Sequence, residues 1–169
     1  MRQTEASANE GHWQQWRDWA EQNGVGVPEE AAFQEARARV WEASEFAALT
    51  CARDPQTLAA LLADGDLERS LDAAALEAQL GAALAEVADE PGLQGALRRF
   101  RRRQMLRILF RDLAGWAGLD ETLADLSALA DCCIRESLRL LEAWTRAELG
   151  TPHDGHARPQ SLLVLGMGK

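Results

Sequence analysis

Residues Leu97 to Trp116, LRRFRRRQMLRILFRDLAGW, constrain the fold more than any other stretch of this chain. Seven of the seventeen arginines fall within the fourteen residues from Arg98 to Arg111, interleaved with large apolar side chains. At helical spacing Arg99, Arg103, Arg107 and Arg111 lie four apart and form one stripe. Met105, Ile108, Leu109 and Trp116 form a second stripe, which Leu106, Phe110 and Leu113 widen. The helix is therefore half core and half cation. Each like-charge pair four apart destabilises an isolated helix by roughly 0.2–0.5 kcal/mol, so the arginine stripe is expected to face negative charge. The chain's own acids, a phosphate-bearing ligand and a partner are the three sources. Arg103 and Arg107 are the expected innermost cations, because Leu106 and Ile108 anchor that turn.

Composition decides what surrounds this helix. Hydrophobic residues make up 47% of the 169 residues. Ala and Leu supply most of them, Tyr is absent and β-branched residues are few, which favours helix over sheet. The expected class is mainly all-α, a helical bundle on the scale of about one domain. A net charge of -9 excludes a general polyanion binder, so neither nucleic acid nor an anionic membrane is an expected partner. The acids are concentrated: Glu42 to Glu90 holds eleven against Arg53 and Arg69, and this segment is suited to neutralising the arginines.

The three cysteines, Cys51, Cys132 and Cys133, have neither a disulfide pattern nor a metal-ligand spacing. A reducing cytoplasm is the expected compartment. No apolar run reaches the length of a membrane span, and the first thirty residues lack the basic start and apolar stretch of a signal peptide.

In chain order, residues 1 to 10 are expected to be a frayed polar tail. Trp13, Trp16 and Trp19 predict one face of a short helix ending before Asn23-Gly24, packed against neighbouring helices. Pro28 is expected in the first turn of the next helix, which carries Phe33, Ala36, Val40 and Ala47 on one side, with Ser44 as a possible recapping point. Asp54-Pro55 predicts a helix start, with Leu58, Leu61 and Leu62 at core spacing. Asp64-Gly65-Asp66 predicts a turn, since the calcium-loop ligand series is missing. Ala73 to Ala88 is an expected helix, and Glu90-Pro91-Gly92 is expected to break the chain before the arginine helix starts near Leu93. Asp120 is the expected cap of a long helix from about Glu121 to Glu148, with an apolar face through Leu123, Leu126, Leu129 or Ala130, Ile134, Leu138, Leu141 and Trp144 packed antiparallel on the arginine helix. Thr151 to Gln160 reads as a surface loop. His153 and His156 beside Asp154 lack a fourth ligand for a metal, and no metal site is expected.

Ser161 to Leu165 is a short continuous apolar run, the pattern of a strand buried on both faces, followed by Gly166-Met167-Gly168-Lys169. A strand without a ladder partner is not stable by itself, so this run is expected to pair with chain outside these residues. Gly166, Gly168 and Lys169 suit close approach of backbone N–H groups and one cation to phosphate oxygens. The spacing is not that of a Walker A loop, which needs glycine where Leu163 stands.

Four blocks in order, LRRFRRRQMLRILFRDLAGW from Leu97, TLADLSALAD from Thr122, GTP at Gly150 to Pro152 and QSLLVLGMGK from Gln160, resemble the bifunctional glutamine synthetase adenylyltransferase/adenylyl-removing enzyme family. The similarity is to the amino-terminal, adenylyl-removing half. It covers roughly residues 40–169, and the chain is expected to divide into a tail and Trp-rich helix (1–27) and a helical domain (28–150). A loop (151–160) then leads to the first strand and GMGK of a polymerase β-like nucleotidyltransferase domain (161–169). The resemblance implies an enzyme that adds AMP to a glutamine synthetase tyrosine and removes it by phosphorolysis, with magnesium and ATP or phosphate as cofactors. Glutamine synthetase and a PII signalling protein are the implied partners. In that family the magnesium-binding aspartates follow the GMGK block, so no catalytic residue is expected within these 169 residues. The chain is then a scaffold whose Arg103 and Arg107 add positive potential near the site. The other reading is an all-helical anion- or protein-binding module using Arg98 to Arg111.

Overall fold

The computed structural model describes residues 2–166, with side chains described from residue 9. Among the described residues seven helices follow one another: α1 (Arg2–Gln22), α2 (Ala31–Ala43), α3 (Glu45–Arg53), α4 (Pro55–Ala63), α5 (Ala73–Leu84), α6 (Glu90–Leu113) and α7 (Leu119–Leu149). Among the described residues the only β-type pairing is an isolated bridge between His153 and Pro159. The mainly all-α expectation therefore holds. Ser161 to Leu165 forms no strand in the structure: its side chains lie exposed and it has no ladder partner, which a strand requires.

Several helix boundaries differ from those the local chemistry predicts. The polar residues before His12 are helical, because α1 begins at Arg2. Contacts to α2 hold that turn: Asn9 Nδ2 donates to the Trp41 carbonyl at 3.1 Å and Arg37 reaches Glu10 at 3.4 Å. Pro28 lies outside α2, whose N-cap is Glu30, and the Pro28 carbonyl instead accepts from Gln34 Nε2 at 2.6 Å. Ser44 does recap the chain: its backbone is extended and its hydroxyl accepts from the Ala47 N–H, starting α3. Glu90-Pro91-Gly92 is the first turn of α6 rather than a break. Asp89 caps it by accepting from Gly92 N at 2.8 Å, and proline fits the first turn because its missing N–H is unneeded there. α5 correspondingly ends at Leu84, earlier than Ala88. Gly118, not Asp120, caps α7; Asp120 and Glu121 sit in its first turn, favourable for carboxylates at a helix N-terminus.

Two hydrophobic cores share α6. The first joins Trp13 and Trp16 of α1, Phe33, Val40 and Trp41 of α2, Leu58 and Leu61 of α4, and Leu106 and Phe110 of α6. Trp13 stacks on Trp16 with centroids 4.9 Å apart, and the Arg37 guanidinium lies 4.8 Å from the Trp13 centroid and 5.3 Å from Trp41's. The tryptophan face is thus packed against neighbours, as its spacing predicts. The second core joins Leu76, Leu80 and Leu84 of α5, Leu93, Phe100 and Ile108 of α6, and Leu129 and Cys132 of α7.

α7 packs on both α5 and α6 through Asp125, Leu129 and Cys132. This rotates part of its expected apolar stripe outward: Leu123 is 53% exposed and Ile134 43%. A polar residue, Asp125, occupies the buried position because it meets an arginine there.

Candidate functional site

Between the two cores runs a layer of buried polar groups contributed mainly by α6. Asp66, in the turn after α4, has no solvent exposure. Its Oδ1 accepts from Arg69 Nε at 3.0 Å and Nη2 at 2.6 Å, and its Oδ2 from Arg103 Nη2 at 2.6 Å and Gln79 Nε2 at 3.0 Å. Gln104 Nε2 extends the chain of contacts to Gln79 Oε1 at 2.7 Å. Four donors on one carboxylate satisfy most of its lone-pair sites, which is what a buried charge needs.

The next two turns of α6 continue the pattern. Arg107 is 1% exposed and donates from Nη1 to Asp125 Oδ2 at 2.8 Å. Arg111 donates from Nε and Nη2 to Glu121 Oε1 at 3.2 and 2.7 Å, and from Nη1 to the Leu67 carbonyl at 2.9 Å. Three of the four arginines in the stripe read from the sequence therefore face the chain's own acids, while Arg99 is exposed and makes no ion pair among the described residues. Two of these acids, Asp64 and Asp66, lie in the acidic segment, while Asp125 and Glu121 lie on α7. Breaking a buried pair by removing one partner leaves an uncompensated charge and costs about 3–5 kcal/mol.

Beside the layer opens a cleft of about 690 Å³ between α4, α5 and α6. Ala60, Ala82, Ala83 and Ala96 leave the space, and Arg99 and Arg103 line its α6 wall. Arg103 is already committed to Asp64 at 2.8 Å and to Asp66. Arg107 is enclosed by protein and presents no cationic surface. Of the expected phosphate-binding residues, Gly166 is exposed at the end of the extended tail, while Gly168 and Lys169 lie outside the described residues. Asp154 is occupied by its own turn: it accepts from the backbone N–H of His156 at 2.8 Å and of Arg158 at 2.9 Å, which holds its carboxyl below the usual range.

A magnesium ion needs a convergent set of oxygen ligands. Among the described residues no group of three or more His, Cys, Asp or Glu side chains stands so as to hold a metal. The thiols are poor nucleophiles: burial pushes Cys51 far up, and Cys132 up to about 12. No helix is long and apolar enough to cross a membrane. Asp66, Gln104 and Asp125 were not singled out as functional in the sequence. The signal for Asp125 was a carboxylate inside the apolar face of α7; Asp66 read only as a turn residue.

Fold and layer together define an all-helical module whose charged side chains organise the chain itself. The family model for glutamate-ammonia ligase adenylyltransferase matches residues 34–169, and the chain belongs to that family. It is 45% identical over 131 residues to the bifunctional glutamine synthetase adenylyltransferase/adenylyl-removing enzyme of Nitrosococcus oceani, covering 77% of this chain and 14% of that protein. The enzyme of the same name from Thioalkalivibrio sulfidiphilus is 46% identical over 139 residues, covering 80% of this chain and 14% of the relative. The one from Shewanella oneidensis is 38% identical over 165 residues, 96% of this chain and 17% of the relative. The chain thus spans about one seventh of the length of these relatives.

Proposed function

We propose that this chain is the helical scaffold of a bifunctional enzyme that attaches AMP to glutamine synthetase and removes it again. The observation that carries the reading is the identity of 45% to a relative of that name, combined with Arg103, Arg107 and Arg111 of α6 being spent on internal pairs. In this reading the chain belongs to the amino-terminal, adenylyl-removing half. Ser161 to Lys169 is the first strand and phosphate-facing turn of a nucleotidyltransferase domain, completed by sheet partners elsewhere in the polypeptide. Magnesium and ATP or phosphate belong to carboxylates outside the described residues, and a PII protein is the proposed regulatory partner.

The role of α6 here is positional. Its ion pairs and the Gln104–Gln79 hydrogen bond tie it to the turn after α4, to α5 and to α7, and α7 delivers the tail that starts at Gly150. An added positive potential from Arg103 and Arg107 at the nucleotide is the weaker version, because each is neutralised at hydrogen-bond distance. The test uses the complete enzyme carrying Arg107→Met with Asp125→Leu, a pair of similar volume. A scaffold role predicts adenylyl removal and thermal stability close to wild type. Loss of adenylyl removal with stability intact assigns the Arg107 charge to the chemistry and overturns the scaffold reading. Failure of the wild-type enzyme to modify glutamine synthetase overturns the functional reading altogether.

A further inference from the structure

The first half of α6 has an outward face that the buried layer does not use. Arg98, Arg101 and Arg102 project from it, three and four positions apart, and all three are exposed. Arg102 reaches Asp54 at 3.0 Å; among the described residues Arg98 and Arg101 make no ion pair. Like charges at these spacings weaken a helix, and they stand here in a chain with 27 acids, where local pairing was easy to achieve. The contrast with Arg103, Arg107 and Arg111, each matched to a carboxylate, argues that this face meets an anion elsewhere.

A groove of about 290 Å³ between α3 and α6 is lined by Phe46, Leu49, Thr50, Arg53, Asp54 and Arg102. Phe46 is 46% exposed, and Arg53 adds a further exposed cation. Arg53 and Arg102 against Asp54 beside an exposed aromatic ring, with Arg98 and Arg101 exposed on the adjoining turn of α6, fit an acidic protein segment that also brings an apolar side chain. Aromatic and arginine side chains of this kind are the residues enriched where protein interfaces carry their energy. The overall charge of -9 opposes nucleic acid, which would face repulsion beyond this patch.

We propose that the outward α6 face, Arg98, Arg101 and Arg102 with the Phe46 groove, docks an acidic segment of the protein substrate. This rests on the functional reading above, in which that substrate is glutamine synthetase. The patch acts as an orienting contact: charge at an interface rim raises the encounter rate and makes it salt-dependent.

The experiment uses the complete enzyme carrying Arg98→Glu with Arg101→Glu, and separately Arg98→Lys with Arg101→Lys. The expected result is a KM for glutamine synthetase raised roughly tenfold in the glutamate pair and restored in the lysine pair. KM is expected to rise with salt in the wild type and to rise less in the glutamate pair, whose melting temperature stays at the wild-type value. An unchanged KM and salt dependence in the glutamate pair overturns the docking site and leaves the functional reading standing. Binding of a 20-base-pair DNA duplex at physiological salt that the glutamate pair abolishes, with KM unchanged, assigns the face to nucleic acid and equally overturns it. A wild-type enzyme that neither binds nor modifies glutamine synthetase removes both readings together.

Discussion

Substituting Asp125→Ala is the sharpest test of the buried layer. Arg107 is 1% exposed and its contact to Asp125 is 2.8 Å, so the alanine variant strands a guanidinium where water does not reach. Its remaining contact, Nη2 to the Arg69 carbonyl at 3.4 Å, is long, and its Nε has no acceptor. No local group can take over the charge. Loss of one partner of a buried pair costs about 3–5 kcal/mol, against a total stability of about 5–15 kcal/mol for a domain. At roughly 2–4 °C per kcal/mol for this size, the melting temperature should fall by about 6–20 °C. Thermal unfolding followed by circular dichroism at 222 nm gives the answer. The companion Arg107→Met with Asp125→Leu removes both charges and should melt close to wild type, since apolar replacements of buried pairs are often neutral or stabilising. A fall of less than about 2 °C for Asp125→Ala, or a double variant as unstable as the single one, refutes the reasoning.

Further outcomes follow from particular contacts. Asp89→Ala removes the acceptor of the Gly92 N–H at the start of α6 and should cost about 1 kcal/mol, or roughly 2–4 °C in melting temperature. Cys51 and Cys132, with thiols raised by burial, should resist a thiol reagent at pH 8 in the folded protein and react on unfolding; rapid labelling of either in the native state contradicts their burial. The Asp154 carboxyl, lowered chiefly by the Arg158 and His156 N–H groups, should titrate below its ordinary 3.8 by carbon-13 NMR. Because its folded value is depressed, the support it lends the 152–160 loop is complete above 3.8 and is lost as pH falls through the folded value. A midpoint at or above 3.8 shows that this turn does not form in solution.

Several elements were legible because their signals are local. The Asp54-Pro55 start, the Ser44 recap and the tryptophan face all depend on residues within a turn of one another. Others were misread because local chemistry is ambiguous. Glu90-Pro91-Gly92 contains two helix breakers, yet proline in a first turn does no harm, and Asp89 decided the outcome by capping. Asp125 sits inside an apolar stripe where hydrophobicity alone argues for pointing it outward.

The sequence by itself determined that the chain is helical, that α6 carries a cation stripe beside an apolar one, and that the stripe demands negative charge. Its four ordered blocks also carried the family. Which negative charge answers each arginine was decided only by the tertiary structure. Arg103 meets Asp66 across 37 positions, Arg107 meets Asp125 across 18, and Arg98 and Arg101 are left facing solvent. The physical reason is that charge pairing in a folded chain depends on which helix faces pack, and those are set by two separate cores meeting along one helix. Periodicity gives the stripes on a helix, but not the angle at which its neighbours cross it.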